Sequence, residues 1–203
     1  MSSNKTPLTG EQLYNNYLEG YFPMADESGE ITWHSPVFRA VFSITNYKPK
    51  KSLRACLKPE VFHWSINHAF EDVIRSCAQP RSEHDGTWLT DELINAYLEL
   101  HRQGFAHSIE VYQGNVLVGG LYGVQIGSAF FGESMFSMVP NASKVAFHHL
   151  MQLLKENNYM LMDSQYLNDH TEMLGAVEIP DFVFTALLKQ ARTVPNKFSH
   201  SRE

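Results

Sequence analysis

Between residues 130 and 165 an apolar stretch changes its period twice and carries polar residues where burial makes them expensive. Phe130-Phe131-Gly132-Glu133-Ser134-Met135-Phe136-Ser137 reads as a strand. Asn141 suits a helix N-cap, and Val145, Leu150, Leu153 and Leu154 then recur at roughly helical spacing. Asn157-Asn158 fits the helix end, because Asn tolerates the left-handed conformation. Tyr159 to Met162 reads as a short buried strand. A strand–helix–strand unit of this kind is right-handed and sets its two strands parallel, which commits the chain to a sheet with a helix across one face. Glu133, Asp163 and Gln165 lie inside or at the ends of these strands. A buried carboxylate is costly unless it is paired or used. Two readings follow: these side chains cap amides or pair with a base, or they carry chemistry.

The rest of the chain supports an α+β domain with a mixed sheet. Thr9 with Gln12 has the form of a capping box, Leu13, Tyr17 and Leu18 form the buried stripe of a helix, and Gly20 ends it. Arg39 to Phe42 reads as a strand. Pro49 marks a boundary between a small N-terminal domain, residues 1–46, and a main domain, residues 47–203. Ser52 is expected to cap a short helix ending at Lys58, and Asn67 a helix carrying Phe70, Val73, Ile74 and Cys77. Thr90 caps the next helix, which Gly104 stops. From His107 the period becomes two, and Ser108–Tyr112 and Val116–Val124 flank a Gln113-Gly114-Asn115 turn as a hairpin. Gly119, Gly120, Gly123 and Gly127 thin its second strand, which predicts a bulge or the close approach of a ligand or another backbone. A short helix from Asn168, a strand from Val177 and a final helix from Phe182 complete the chain.

Charge and motif content exclude several classes. A net charge of −6 argues against a general nucleic-acid binder held by a broad basic face. The dense cationic cluster is Lys48, Lys50, Lys51, Arg54 and Lys58, which by itself reads as a solvated loop and helix. No stretch approaches the ~20 apolar residues of a membrane span, and no apolar signal core opens the chain, so a cytoplasmic protein is expected. Gly132-Glu133-Ser134-Met135-Phe136 puts Phe136 where a nucleophile elbow needs its second glycine, against a serine hydrolase. GxGxxG, GxxxxGK[ST] and HExxH do not occur, and the adjacent His148 and His149 diverge around a helix, so no metal site is expected.

The chain resembles the bacterial leucyl/phenylalanyl-tRNA–protein transferases. The resemblance is carried in order by Tyr17-Leu18-Glu19-Gly20-Tyr21-Phe22-Pro23-Met24, Trp33-His34-Ser35-Pro36 with Arg39, Gly86-Thr87-Trp88-Leu89-Thr90 and Ala96-Tyr97. It continues through Ala106-His107-Ser108-Ile109-Glu110, Leu117 to Gly123, Phe131 to Ser137, Asn141-Ala142-Ser143-Lys144, Asp163-Ser164-Gln165 and Leu174-Gly175-Ala176. It implies a small N-terminal domain plus a domain like that of the GCN5-related acetyltransferases. The activity implied is transfer of Leu or Phe, and less readily Met, from aminoacyl-tRNA to the α-amino group of proteins beginning with Arg or Lys, which marks them for N-end rule degradation. No cofactor and a monomer are expected. No Arg or Gln here has a Gly three residues on, so the acetyl-CoA pyrophosphate loop of that fold is missing.

The resemblance also implies roles. Asp163 and Gln165 match the catalytic pair, two apart on a strand and so on one face, and Glu133 matches the other site carboxylate. Leu121, Met135, Leu150, Leu154 and Met162 fall at the pocket for the donor side chain. Trp33 and Trp88 match positions that stack on the terminal adenosine, and Lys50, Lys51, Arg54 and Lys58 match a basic helix that meets the tRNA backbone. Ser164 and Asp181 depart from the family pattern, which often has Cys and Arg there. The competing readings are an enzyme of the same fold with another acceptor, such as a cell-wall precursor, and a binding module that does not turn over.

Overall fold

Consecutive residues along the central strands go to opposite sides of one sheet. Val41, Tyr122, Phe131 and Leu161 enter one core, and their neighbours Phe42, Leu121, Phe130 and Met162 enter the other. This is the period-two rule of a sheet buried on both faces. The computed structural model describes residues 7–80 and 89–199. The main sheet draws on β3 (Phe38–Phe42), β4 (His63–Ile66), β5 (Ala106–Gln113), β6 (Val116–Ile126), β7 (Ala129–Ser137), β8 (Leu161–Asp163) and β9 (Val177–Pro180). Its seven described strands run in the order β4-β5-β6-β7-β8-β3-β9. All neighbours are antiparallel except β7 and β8. This is the mixed sheet expected for an acetyltransferase-like domain. A separate hairpin joins β1 (Phe22–Ala25) to β2 (Ile31–His34).

One helix, α4 (Ala142–Glu156), covers the second face. The first face is covered by α1 (Gly10–Leu18), α2 (Phe70–Cys77), α3 (Asp91–Arg102) and α6 (Asp181–Ala191), and α5 (Asp169–Leu174) follows β8. The expected strand–helix–strand unit is therefore present as β7-α4-β8 with parallel strands. The segment expected as a small N-terminal domain gives β3 to the main sheet, between β8 and β9. Its Leu13, Tyr17 and Phe22 share a core with Tyr97, Tyr122 and Phe131. The two expected units thus share one sheet and one core.

Local capping follows the sequence in part. Thr9 and Gln12 form the reciprocal capping box on α1, and Thr90 caps α3. Asn141 occupies the N-cap position of α4 but in the left-handed conformation, φ 71°, without a side-chain cap bond. Ser137 caps instead, its hydroxyl accepting from the Ser143 N–H at 3.2 Å. Ala69, not Asn67, precedes α2. Asn67 turns its side chain to β5, accepting from the Ser108 N–H and meeting the His107 ring. Ser52 lies inside a 3-10 helix, Lys51–Leu57, whose N-cap position is Lys50. For Asn67 a tertiary partner on β5 outcompetes the local cap.

The glycines of β6 answer to close approach by this chain itself. A Cβ at Gly119 would stand 2.6 Å from the Ala142 Cβ at the start of α4. At Gly123, where the β6–β7 register slips, it would overlap the Phe131 carbonyl oxygen. Gly119→Val is accordingly expected to destabilise the fold by about 1–3 kcal/mol through overpacking, read from the urea midpoint at unchanged slope.

Candidate active site

β7 and β8 pair only from Ala129–Leu161 to Phe131–Asp163. Beyond that point β7 continues to Ser137, while β8 stops and its chain turns away. The split opens a cavity of about 580 Å³. Its apolar end is walled by Phe42, Leu121, Met135, Phe147, Leu150 and Met162, and its polar end by Glu133, Ser134, Ser164 and Gln165. Phe22, Pro23 and Met24 of β1 line it as well.

Asp163, at the end of β8, does not line this cavity. It is fully buried against Arg39 of β3, likewise fully buried. The guanidinium donates from Nε to Asp163 Oδ1 at 2.7 Å and from Nη2 to Oδ2 at 2.8 Å. Its Nη1 donates to the Gly20 carbonyl at 2.9 Å. The Phe22 and Phe184 rings sandwich it at 4.6 and 4.3 Å. Asp163 Oδ1 accepts once more, from the Gln165 N–H at 3.2 Å. Gln165 is not on the strand with Asp163: it lies past the end of β8 in the left-handed conformation, φ 57°. The expectation that the two share one face of a strand is corrected here. The turn that the Asp163 carboxylate holds is what aims Gln165 into the cavity.

Glu133 is the carboxylate that faces the cavity. Its Oε1 accepts from Gln165 Nε2 at 2.8 Å and its Oε2 from the Tyr97 hydroxyl at 3.0 Å. Tyr97 in turn meets the Tyr17 hydroxyl at 2.7 Å. Burial pushes the Glu133 carboxyl up to about 7, against the pull of the Tyr17 and Tyr97 hydroxyls. The charge of Asp163 adds to the rise and that of Arg39 opposes it. Burial also raises both tyrosines well above their usual value, so they stay protonated donors. With its amide N–H committed to Glu133, Gln165 has its carbonyl oxygen free to accept from a substrate.

Leu121, Met135, Leu150 and Met162, expected at the donor side-chain pocket, line this cavity. Leu154 is corrected: one turn beyond Leu150 it is fully buried in the α4-side core, clear of the cavity. Phe42 and Phe147 take that place, their rings 4.6 Å apart. Trp33 is half-buried on β2, opposite Pro23, and is not among the cavity residues. Trp88 lies outside the described residues. Lys50, Lys51, Arg54 and Lys58 are all exposed around the 3-10 helix, whose Leu53 points into the core.

The sequence profile of the leucyl/phenylalanyl-tRNA protein transferases matches residues 41–189. This chain belongs to that family. The proteins named leucyl/phenylalanyl-tRNA–protein transferase from Chlorobaculum tepidum and Prosthecochloris aestuarii are 47% and 49% identical to it. The first match covers 89% of this chain and 94% of the relative; the second covers 85% and 89%. Among solved structures, L-PGS from Bacillus licheniformis is 11% identical with a TM-score of 0.48, over 88% of this chain and 68% of that one. That likeness is too distant to bear on function.

Several residues of this site were not singled out in the sequence. Arg39 stood out only as an isolated match, although a buried Asp163 requires a cation. Tyr17 and Tyr97 read as apolar faces of two helices, and nothing in that periodicity says that their hydroxyls meet. Phe147 sits three residues before Leu150, the spacing of one helix face, and was legible on that ground.

Arg39→Met is expected to leave Asp163 charged and unpaired and to cost about 3–5 kcal/mol in urea unfolding. Arg39→Lys should recover only part, because an ammonium cannot span both oxygens. For catalysis, the ascending limb of the kcat–pH profile is expected to carry an apparent pKa near 7, that of Glu133. In Glu133→Gln that limb should move up to about 8, where the acceptor amine itself titrates.

Proposed function

We propose that this transferase moves Leu or Phe, and less readily Met, from aminoacyl-tRNA to the α-amino group of proteins beginning with Arg or Lys. On this reading it works in the cytoplasm and feeds the N-end rule degradation route. The observation that carries the reading is an apolar cavity whose polar end is the Gln165–Glu133 pair. A Leu, Phe or Met side chain fills the apolar end, and the adaptable Met135 and Met162 suit donors of different shape. The acyl group then lies at the two polar side chains.

The reaction is aminolysis of an ester. The neutral amine attacks the aminoacyl carbonyl, forming the C–N bond. The C–O bond to the terminal ribose breaks, the ribose oxygen leaves with a proton, and the amine loses one. An α-amine titrates near about 8, so part of it is neutral at physiological pH. Gln165 Oε1 orients that amine by accepting its hydrogen bond, and no cofactor is required because the donor arrives activated. Glu133, titrating at about 7, is suited to take the proton. Asp163 acts through Gln165: with both oxygens held by Arg39 its charge is countered, so the negative potential that favours a cationic acceptor comes from Glu133. Trp33 and Trp88 remain the proposed adenosine contacts, and Lys50, Lys51, Arg54 and Lys58 the proposed tRNA-backbone contacts.

Labelled leucine on tRNA, offered to two peptides that differ only in Lys or Ala at the N-terminus, tests this reading. Transfer to the Lys peptide alone is expected. Gln165→Ala should reduce kcat about 10–100-fold, since a bond to a reacting group is worth about 1.5–3 kcal/mol. Transfer should also weaken steeply between ~50 and ~200 mM salt, as phosphate contacts require. Equal labelling of both peptides, or none, would sink the proposed acceptor.

A further inference from the structure

We infer that Tyr166 and His34 are positioning residues of this transferase: their contact closes a ring of interactions that holds Gln165 toward the cavity. The inference rests on the role of Gln165 proposed above and adds residues through which that role is held. Gln165 sits in the left-handed conformation, φ 57°, which a non-glycine residue keeps only where its surroundings over-determine the backbone. On the β8 side, Asp163 Oδ1 accepts from the Gln165 N–H. On the other side comes Tyr166, which lines the cavity and is 42% exposed. Its hydroxyl lies 3.2 Å from Nδ1 of His34 on β2. The His34 ring stacks against the Phe22 ring, centroids 5.7 Å apart, and Tyr166 meets that ring edge-on at 5.4 Å. Phe22 also packs on the Arg39 guanidinium, which grips Asp163. The path Asp163–Arg39–Phe22–His34–Tyr166 thus ties the turn at Gln165 on both flanks.

Neighbouring hydrogen bonds fix the direction of the contact. Thr32 Oγ1 donates its one proton to the Met24 carbonyl at 3.2 Å, so toward His34 Nε2, 2.8 Å away, it acts as the acceptor. Nε2 therefore carries the ring proton of the neutral imidazole, Nδ1 keeps its lone pair, and the Tyr166 hydroxyl donates to it. Among the described residues this is the one hydrogen bond that joins the hairpin, Phe22 to His34, to the rest of the chain. The hairpin gives Phe22, Pro23 and Met24 to the cavity wall. The same bond therefore sets where that wall stands relative to Gln165 Oε1, the atom proposed to receive the amine.

Leucylation of a Lys-initiated peptide at saturating Leu-tRNA tests the ring. Tyr166→Phe keeps the aromatic side chain and removes the donor, and His34→Phe keeps a ring against Phe22 and removes the acceptor. Each is expected to lower kcat about 3–10-fold, the worth of one hydrogen bond, with the KM for Leu-tRNA unchanged. The double variant should lose no more than either alone, because all three lack the same bond. His34→Asn, whose Oδ1 stands in for Nδ1, should recover most of the loss. In a Gln165→Ala background Tyr166→Phe should cost little further, the mark of a residue that acts through Gln165. Wild-type kcat in both single variants would overturn the inference while leaving Gln165 in its role. So would a Tyr166→Phe loss that persists in full without the Gln165 side chain, since Tyr166 would then act on the substrate directly. If Gln165→Ala itself turns over like wild type, the role proposed for Gln165 fails and the inference falls with it.

Discussion

The site depends on one buried ion pair. Arg39 and Asp163 are both withdrawn from water, which costs several kcal/mol per ion before any attraction is counted. The cost is met by geometry: a two-pronged fork, a third donation to the Gly20 carbonyl and aromatic rings on both faces of the guanidinium. The pair ties β3 and the end of α1 to the last residue of β8. That last residue is also where the sheet splits, and its carboxylate holds the Gln165 amide in a conformation that non-glycine residues rarely adopt. Backbone strain at Gln165 is thus sustained by an interaction made entirely outside the cavity.

The two carboxylates near the split divide their work through their surroundings. Asp163 has a cation and no access to substrate, so its charge is spent on position. Glu133 has hydroxyl and amide donors but no direct cation, and burial raises it to about 7, where it can both hold and release a proton. The donors come from α1, α3 and the turn after β8, which are far apart in sequence. Tyr17 and Tyr97 fix the carboxylate from behind, and Gln165 fixes it from the front. The cavity then needs no charged residue at its apolar end, where side-chain fit decides the donor.

Much of this was legible beforehand for identifiable reasons. The β7-α4-β8 unit could be read because its period shifts from two to helical and back, and burial on both faces leaves no other use for such a run. Glu133 and Gln165 could be singled out because polar side chains in apolar strands demand a partner or a task. Leu154 misled because helix periodicity selects the buried face of α4 without saying which turn borders a void. The three glycines of β6, and Gly127 just beyond it, announced close approach correctly in kind. Whether a ligand or this chain fills the space is a question of packing, and at Gly119 the answer is Ala142.

By itself the sequence determined which segments are strands and helices, the parallel crossover, the family and the residue types available for chemistry. These follow from periodicity, caps and motif order, which are local or pairwise along the chain. Only the tertiary structure decided that Asp163 is turned inward to Arg39 while Glu133 faces the cavity. It alone set the point where β7 and β8 part, and joined Tyr17 to Tyr97 behind the carboxylate. The physical reason is that burial, and the electrostatics that burial amplifies, depend on which distant elements close over a residue. Two carboxylates of similar intrinsic acidity become a structural anchor and a proton-active group chiefly through that enclosure.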